Sequence, residues 1–315
     1  MTIADRSILR QDRDPGVSDL TFTPEDFQGL AEIVRAECGI MLSENKAPLV
    51  YARLAKRLRV LTLPSFRAYR TFIASEEGAK ERQLMIEAMT TNVTQFFREP
   101  HHFANLSERV LPRLIQEARS GGRVRIWSAG CSSGEEPYSI AATVLSLMPD
   151  VHRFDFKILA TDINSQMLAR GRAGAYASDA ATVASLGEHE KWFLRETIGG
   201  KPGLLAHEDL RRLVSFRTSN LIDHPWPMSG KFQVIFCRNV LIYFDADIRD
   251  SICTRLIDHL SPGGHLYLGH SERVPPATPS LRIVGPTTYE LERCGRSEGG
   301  ARDPMTSPDP FHGAI

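Results

Sequence analysis

The chain has 315 residues, enough for two domains that each bury a core. Its 38 Lys and Arg balance 38 Asp and Glu, so no net charge recruits nucleic acid or an anionic membrane. A mean hydropathy of -0.22, and no apolar run near the ~20 residues a membrane span needs, argue against insertion into a bilayer. Five scattered cysteines form neither a metal-ligand nor a disulfide pattern, which fits a reducing cytoplasm.

Residues 1–20 mix acids and bases without an apolar stretch, so they read as a loose tail and not as a secretory signal. From residue 21 to about 90 the pattern is helical. Thr23 and Asp26 give an N-cap signature with Pro24 at the first helical position, and Phe27, Leu30, Ile33 and Val34 share a face. "APLVYARLAKRLRVL" puts Val50, Leu54, Leu58 and Leu61 on one stripe and Arg53, Lys56, Arg57 and Arg59 opposite it, a pattern that by itself describes a solvated basic face. Residues 91–120 read as a junction, "NVTQFFREPHHF", leading into a helix. Phe96 and Phe97 anchor it by packing, and the adjacent His101 and His102 read as surface residues.

After Gly121 and Gly122 short β-rich runs alternate with helical ones: "RVRIWSA", "FDFKILATDI", "FQVIFC" and "GGHLYLGH" are strands, with two late strands on either side of Pro286. That alternation predicts an α/β domain over 121–294 with a mainly parallel sheet, and residues near 188–217 break it with a small strand-rich insertion. Residues 295–315, rich in Gly, Ser and Pro, read as a disordered tail.

The chemistry concentrates at "SAGCSSGEEPYS", residues 128–139. Gly130 to Gly134 spell the G-x-S-x-G of a hydrolase elbow with Ser132 as nucleophile, and Asp223 and His270 complete a triad on paper. Against that reading, everything upstream is helical, and Glu135 and Glu136 oppose a developing oxyanion. A nucleotide phosphate fits no better, because carboxylates in the first helical turn repel it and no Gly-Lys-Ser/Thr is present. The turn suits a nucleoside-like ligand that lacks phosphates and carries positive charge, such as S-adenosylmethionine. Asp162 ends the second strand, where such an acid takes ribose hydroxyls; its other reading is an N-cap for the next helix. Asn220 follows "LVSFR", and Arg238 with Asn239 follows "FQVIF", again at strand ends where open α/β sheets bind ligands. His265 and His270 make no metal-ligand pattern, so no metal is expected.

Taken in order, "TTNVTQFFRE", "WSAGCSSGEEPYSIA", "ILATDIN", "SNLID", "FCRNVLIYFD" and "GHSE" resemble the chemotaxis receptor methyltransferases, over roughly residues 22–293. The resemblance implies a small all-helical N-terminal domain plus a Rossmann-like S-adenosylmethionine-dependent methyltransferase domain with a small inserted β-subdomain. It implies that Asn92, Thr94, Arg98, Glu136, Asp162, Asn220, Leu221, Arg238 and Asn239 reach the cofactor, with Arg98 and Tyr243 at the methyl-transfer centre. The implied activity is a cytoplasmic, monomeric protein-glutamate O-methyltransferase that yields a glutamate methyl ester and S-adenosylhomocysteine. Its implied partners are cytoplasmic chemoreceptor helices, docked on the face of Arg53, Lys56, Arg57 and Arg59. A module that binds the cofactor without catalysis is the alternative from another class.

Overall fold

The computed structural model describes residues 20–276, 278 and 280–293; the expected tails, 1–20 but for Leu20 and 295–315, lie outside the described residues. The elements in chain order are α1 (Pro24–Cys38), α2 (Ala47–Val60), α3 (Phe66–Ala74), α4 (Ala79–Met89), α5 (Pro100–Asn105) and α6 (Leu111–Arg119). Then come β1 (Val124–Ala129), α7 (Glu135–Leu147), β2 (Phe156–Asp162), α8 (Ser165–Ala173), β3 (Ala175–Ala177), α9 (Ala180–Leu186), β4 (Phe193–Ile198) and β5 (Lys201–Ala206). The chain continues through α10 (Glu208–Leu213), β6 (Val214–Thr218), β7 (Phe232–Cys237), α11 (Ala246–Asp258), β8 (Leu260–Leu268), β9 (Leu281–Gly285) and β10 (Thr288–Leu291). Two compact units emerge: residues up to Ile33 with Ser43–Met85, and Val34–Leu42 with residues from Ile86 onward.

The first unit is all helical. The α1 start is a reciprocal cap: the Asp26 amide donates to the Thr23 hydroxyl and the Thr23 amide to the Asp26 carboxylate, each at 3.2 Å. That arrangement stabilises the helix by about 1 kcal/mol. Val50, Leu54 and Leu58 of α2 are fully buried, as the leucine stripe requires. Arg57 does not join a free basic face. Its guanidinium grips Glu81 through Nε at 2.9 Å and through Nη2, and Tyr69 donates to the same carboxylate at 2.8 Å.

The second unit carries a seven-stranded sheet in the order β6-β2-β1-β7-β8-β10-β9. Strands β6, β2, β1, β7 and β8 are parallel, and β10 runs antiparallel to both β8 and β9. Side-chain alternation divides the core between the two faces. Ile126, Ile158 and Val234 point to the cluster under α6 and α7, and Trp127, Leu159 and Ile235 to the cluster with Trp226 and the buried side of α11. The strand order reverses between β1 and β7, so their carboxyl ends form the crevice where such sheets bind ligands. A separate antiparallel sheet, β3-β5-β4, forms the inserted β-subdomain. It begins at Ala175, ahead of the 188–217 stretch, and "LVSFR" is the outer parallel strand β6 of the main sheet.

Candidate functional site

The turn after β1 is shaped by three left-handed residues: Gly130 (φ +75°), Ser132 (φ +49°) and Gly134 (φ +97°). A Cβ on Gly130 would sit 2.4 Å from the Val240 side chain, so glycine there admits the β7 loop. The Gly130 and Cys131 amides donate to the Thr161 carbonyl at 2.8 and 2.9 Å, which fixes the turn to the end of β2.

Asp162 is buried beneath that turn. Its Oδ2 accepts from the Ser132 amide and its Oδ1 from the Asn164 amide, both at 2.8 Å. The N-cap of α8 is Asn164, which accepts from the Gln166 and Met167 amides, so Asp162 is not spent on capping. Burial pushes the Asp162 carboxyl above its ordinary pKa, against the pull of the two amides.

Glu136, in the first turn of α7, accepts from Ser128 at 2.7 Å and from Arg238 Nη1 at 3.2 Å. Burial raises its pKa, and Arg238 and the Ser128 hydroxyl oppose that rise. The Arg238 guanidinium, 2% exposed, also lies 3.6 Å from Glu99 Oε2 and donates to the Arg98 carbonyl. Burial pushes Glu99 up as well, but Arg238 and the His270 amide outweigh it and hold that carboxyl below its usual range. One cation thus ties the junction, α7 and the end of β7 together. Glu135, beside it, is raised by burial despite the Ser133 hydroxyl and Arg170.

The other expected residues divide. The Asn92 carbonyl accepts from the Ser132 hydroxyl at 3.1 Å, which brings the junction to the turn. Arg98 folds back to the Val93 carbonyl at 3.1 Å. Asn239 sits at φ +59° directly after Arg238. Tyr243 closes a short helical turn, Leu241–Tyr243, and its carbonyl accepts from the Met41 amide at 2.9 Å. Asn220 lies at the end of β6, where its side-chain amide donates to the Glu37 carbonyl at 2.8 Å. Leu221 is buried in the cluster on the α11 side of the sheet. Thr94 lines a cleft of about 490 Å³ with Ser133, Glu135, Arg170 and Tyr176; Asp162, Asn220, Arg238 and Asn239 line no part of it.

One expectation is corrected, and one disfavoured alternative falls. His102 is not a surface residue: it is fully buried, with Nε2 3.3 Å from the Pro286 carbonyl and 3.0 Å from the Thr287 hydroxyl. Burial first, then Arg238 and His101, push its pKa down to about 3. The hydrolase triad is not assembled, because the Ser132 hydroxyl is directed to Asn92 and the His270 ring faces Glu99 at 3.4 Å. Glu99, His101 and His102 do bring ligand-type atoms within 4.8 Å of one another. The Arg238 guanidinium beside Glu99 already supplies the positive charge there and opposes a second cation.

Three acids that residue types alone did not single out organise the site. Glu99 pairs with Arg238. Glu87 accepts from the Ser165 amide at 3.0 Å. Glu272, in the "GHSE" segment, collects the amides of the loop after β7. The local signal for the last was that segment itself, which carried no role when read alone.

Residues 25–90 match the family described as CheR methyltransferase, all-alpha domain, and residues 92–289 match CheR methyltransferase, SAM binding domain. The chain is 50% identical over 264 residues to a probable chemotaxis protein methyltransferase of Rhizobium etli, covering 84% of this chain and 98% of the relative. It is 41% identical to chemotaxis protein methyltransferase 2 of Pseudomonas aeruginosa, covering 87% of this chain and 95% of that one. Against the chemotaxis protein methyltransferase of Escherichia coli it is 34% identical, covering 87% and 93%. Among the described residues no helix is long and apolar enough to cross a membrane.

Proposed function

The chain belongs to the CheR methyltransferase family and uses S-adenosylmethionine as its methyl donor, and from that premise we propose that it methylates glutamate side chains on cytoplasmic chemoreceptor helices. The observation that carries this reading is the charge of the crevice: the carboxylates of Glu136 and Asp162 are both pushed up by burial, and Glu136 is answered by Arg238 and the Ser128 hydroxyl while two backbone amides answer Asp162. Such a site is relieved by a cationic ligand.

When bound, S-adenosylmethionine supplies an electrophilic methyl group on a sulfonium. We assign Asp162 to the ribose hydroxyls, with Asn92, Thr94, Arg98, Glu136, Asn220, Leu221, Arg238 and Asn239 around the rest of the cofactor. Arg98 and Tyr243 orient the acceptor carboxylate. A glutamate side chain has an ordinary pKa near ~4.3, so at neutral pH it is already the nucleophile. With Arg98 and Tyr243 holding that carboxylate in line, the bound donor would release its methyl group to the glutamate oxygen and keep the S–C electron pair on sulfur. No proton moves and no general base is required. In-line alignment then supplies much of the rate, on the order of 7–11 kcal/mol for well-oriented groups. His102, buried and pushed down to about 3, is no base for this step, in keeping with that scheme.

We place receptor docking on α2, within the helical segment 21–90. With Arg57 committed to Glu81, the exposed Lys56 and Arg59, together with Arg53, form the face that meets an acidic receptor helix. The double change Lys56→Glu and Arg59→Glu is expected to raise KM for receptor several-fold at low ionic strength while cofactor affinity stays put. The defect should shrink with added salt, since exposed charges are screened over ~10 Å at 0.1 M. Unchanged receptor kinetics at every salt concentration would leave that face merely solvated. The reaction itself is tested by transfer of a tritiated methyl group from the cofactor to a receptor fragment, with the product bond identified by its lability to alkali.

A further inference from the structure

We infer that Glu272 is a positioning residue for methyl transfer, an internal anion whose carboxylate sets the backbone of residues 239–242 and so aims Asn239 and Tyr243. The inference rests on the reading that this turn faces the cofactor. Glu272 is 3% exposed. Its Oε1 accepts from the amides of Val240 (2.9 Å), Leu241 (2.7 Å) and Ile242 (3.3 Å), and its Oε2 from those of Asn239 (2.8 Å) and Gly269 (2.6 Å). Four consecutive amides converge on one carboxylate only where the backbone bends sharply, and Asn239 at φ +59° makes the bend. A left-handed non-glycine residue persists where its surroundings over-determine it, and these charge-assisted bonds do so.

Gly269 completes the nest. A Cβ there would lie 2.8 Å from Glu272 Oε2, 2.8 Å from the Asn239 amide nitrogen and 2.6 Å from its side-chain nitrogen. The carboxylate also joins chain ends that are far apart in sequence, the loop after β7 and the loop after β8, at the carboxyl edge of the sheet. Glu272 therefore fixes Asn239 and Tyr243 without being assigned any contact with the cofactor. A neutral amide cannot replace it, because whichever position takes the NH₂ group then faces backbone N–H donors.

The test uses Glu272→Gln and, as an independent lesion, Gly269→Ala. Affinity for S-adenosylhomocysteine is measured by calorimetry well below each variant's melting temperature, with KM for cofactor and for receptor alongside. Both variants are expected to lose about tenfold or more in cofactor affinity, the scale of lost bonds to a charged group. KM for cofactor should rise with it and kcat should fall, because Tyr243 orients the acceptor carboxylate, while KM for receptor, set by docking on α2, should stay unchanged, a split that simple loss of stability does not produce. Glu272→Asp, which keeps the charge but shortens the reach, should recover part of the loss. Wild-type affinity and kinetics in a folded Glu272→Gln variant would overturn the inference. Should the variants not fold, amide exchange on the unliganded wild-type chain decides. The amides of Asn239, Val240, Leu241 and Gly269 should be strongly protected, and exchange at the rate of exposed loop amides would overturn the anchor. If the wild-type chain bound no S-adenosylhomocysteine, the cofactor reading would fail while the exchange result still tested the anchor.

Discussion

Replacing Arg238 by methionine is expected to cost about 3–5 kcal/mol of stability at pH 8, the scale of breaking a buried ion pair from one side, and to abolish measurable cofactor binding. Two carboxylates, Glu99 and Glu136, would lose their shared partner, and the Arg98 carbonyl would lose its donor. Methionine fills much of the volume, so the penalty is electrostatic and not a cavity. Its pH dependence identifies it. In the wild-type protein Glu99 is held below its ordinary pKa, so it contributes stability above the unfolded-state value that is lost as pH falls through the folded one. Without Arg238, Glu99 should rise above its unfolded value, and Glu136, already held above it by burial, should rise further. The variant should then bind protons more tightly folded than unfolded, and its stability should fall as pH rises above the ordinary glutamate pKa. Thermal melts should show a larger deficit at pH 8 than at pH 5. Equal deficits at both would mean that the two acids do not depend on Arg238.

The second large effect belongs to Asp162. Asp162→Asn should weaken S-adenosylhomocysteine by about 1.5–3 kcal/mol, roughly ten- to a hundredfold, if its carboxylate takes the ribose hydroxyls. The same carboxylate holds the Ser132 and Asn164 amides, so a loss of affinity alone would not separate recognition from distortion of the turn. A cofactor analogue without the ribose hydroxyls does. Wild type should bind the analogue far more weakly than S-adenosylhomocysteine, whereas the variant should discriminate little between the two, giving a coupling energy in the double cycle. Full discrimination retained in the variant would remove Asp162 from the ribose.

What could be read from the sequence was what local rules govern. The cap at Thr23 and Asp26, the leucine stripe of α2, the glycine turn and the polar residues closing β1, β2, β6 and β7 all follow from neighbours a few positions away. The rest depends on partners distant in the chain. His102 is adjacent to an exposed histidine, and nothing within its own helix announces that Pro286 and Thr287 will cover it. Arg57 lies on the polar side of α2 by spacing, but Glu81, 24 positions on, takes it from the surface. Glu272 escaped because its partners are backbone amides, which every residue type carries alike.

Methyl transfer to a glutamate side chain without a general base is read out by single-turnover transfer of tritiated methyl to a receptor fragment. The label should be released by alkali as methanol, as an ester requires, and the transfer rate should be nearly flat from about pH 6 to pH 8, because the acceptor is ionised throughout. Replacing His101 by Gln should leave that profile unchanged. Alkali-stable label would mean a nitrogen or sulfur acceptor, and a tenfold rise in rate across the window would mean a base is needed. Tight cofactor binding with no transfer to any chemoreceptor would make the chain a binding module and not a glutamate methyltransferase.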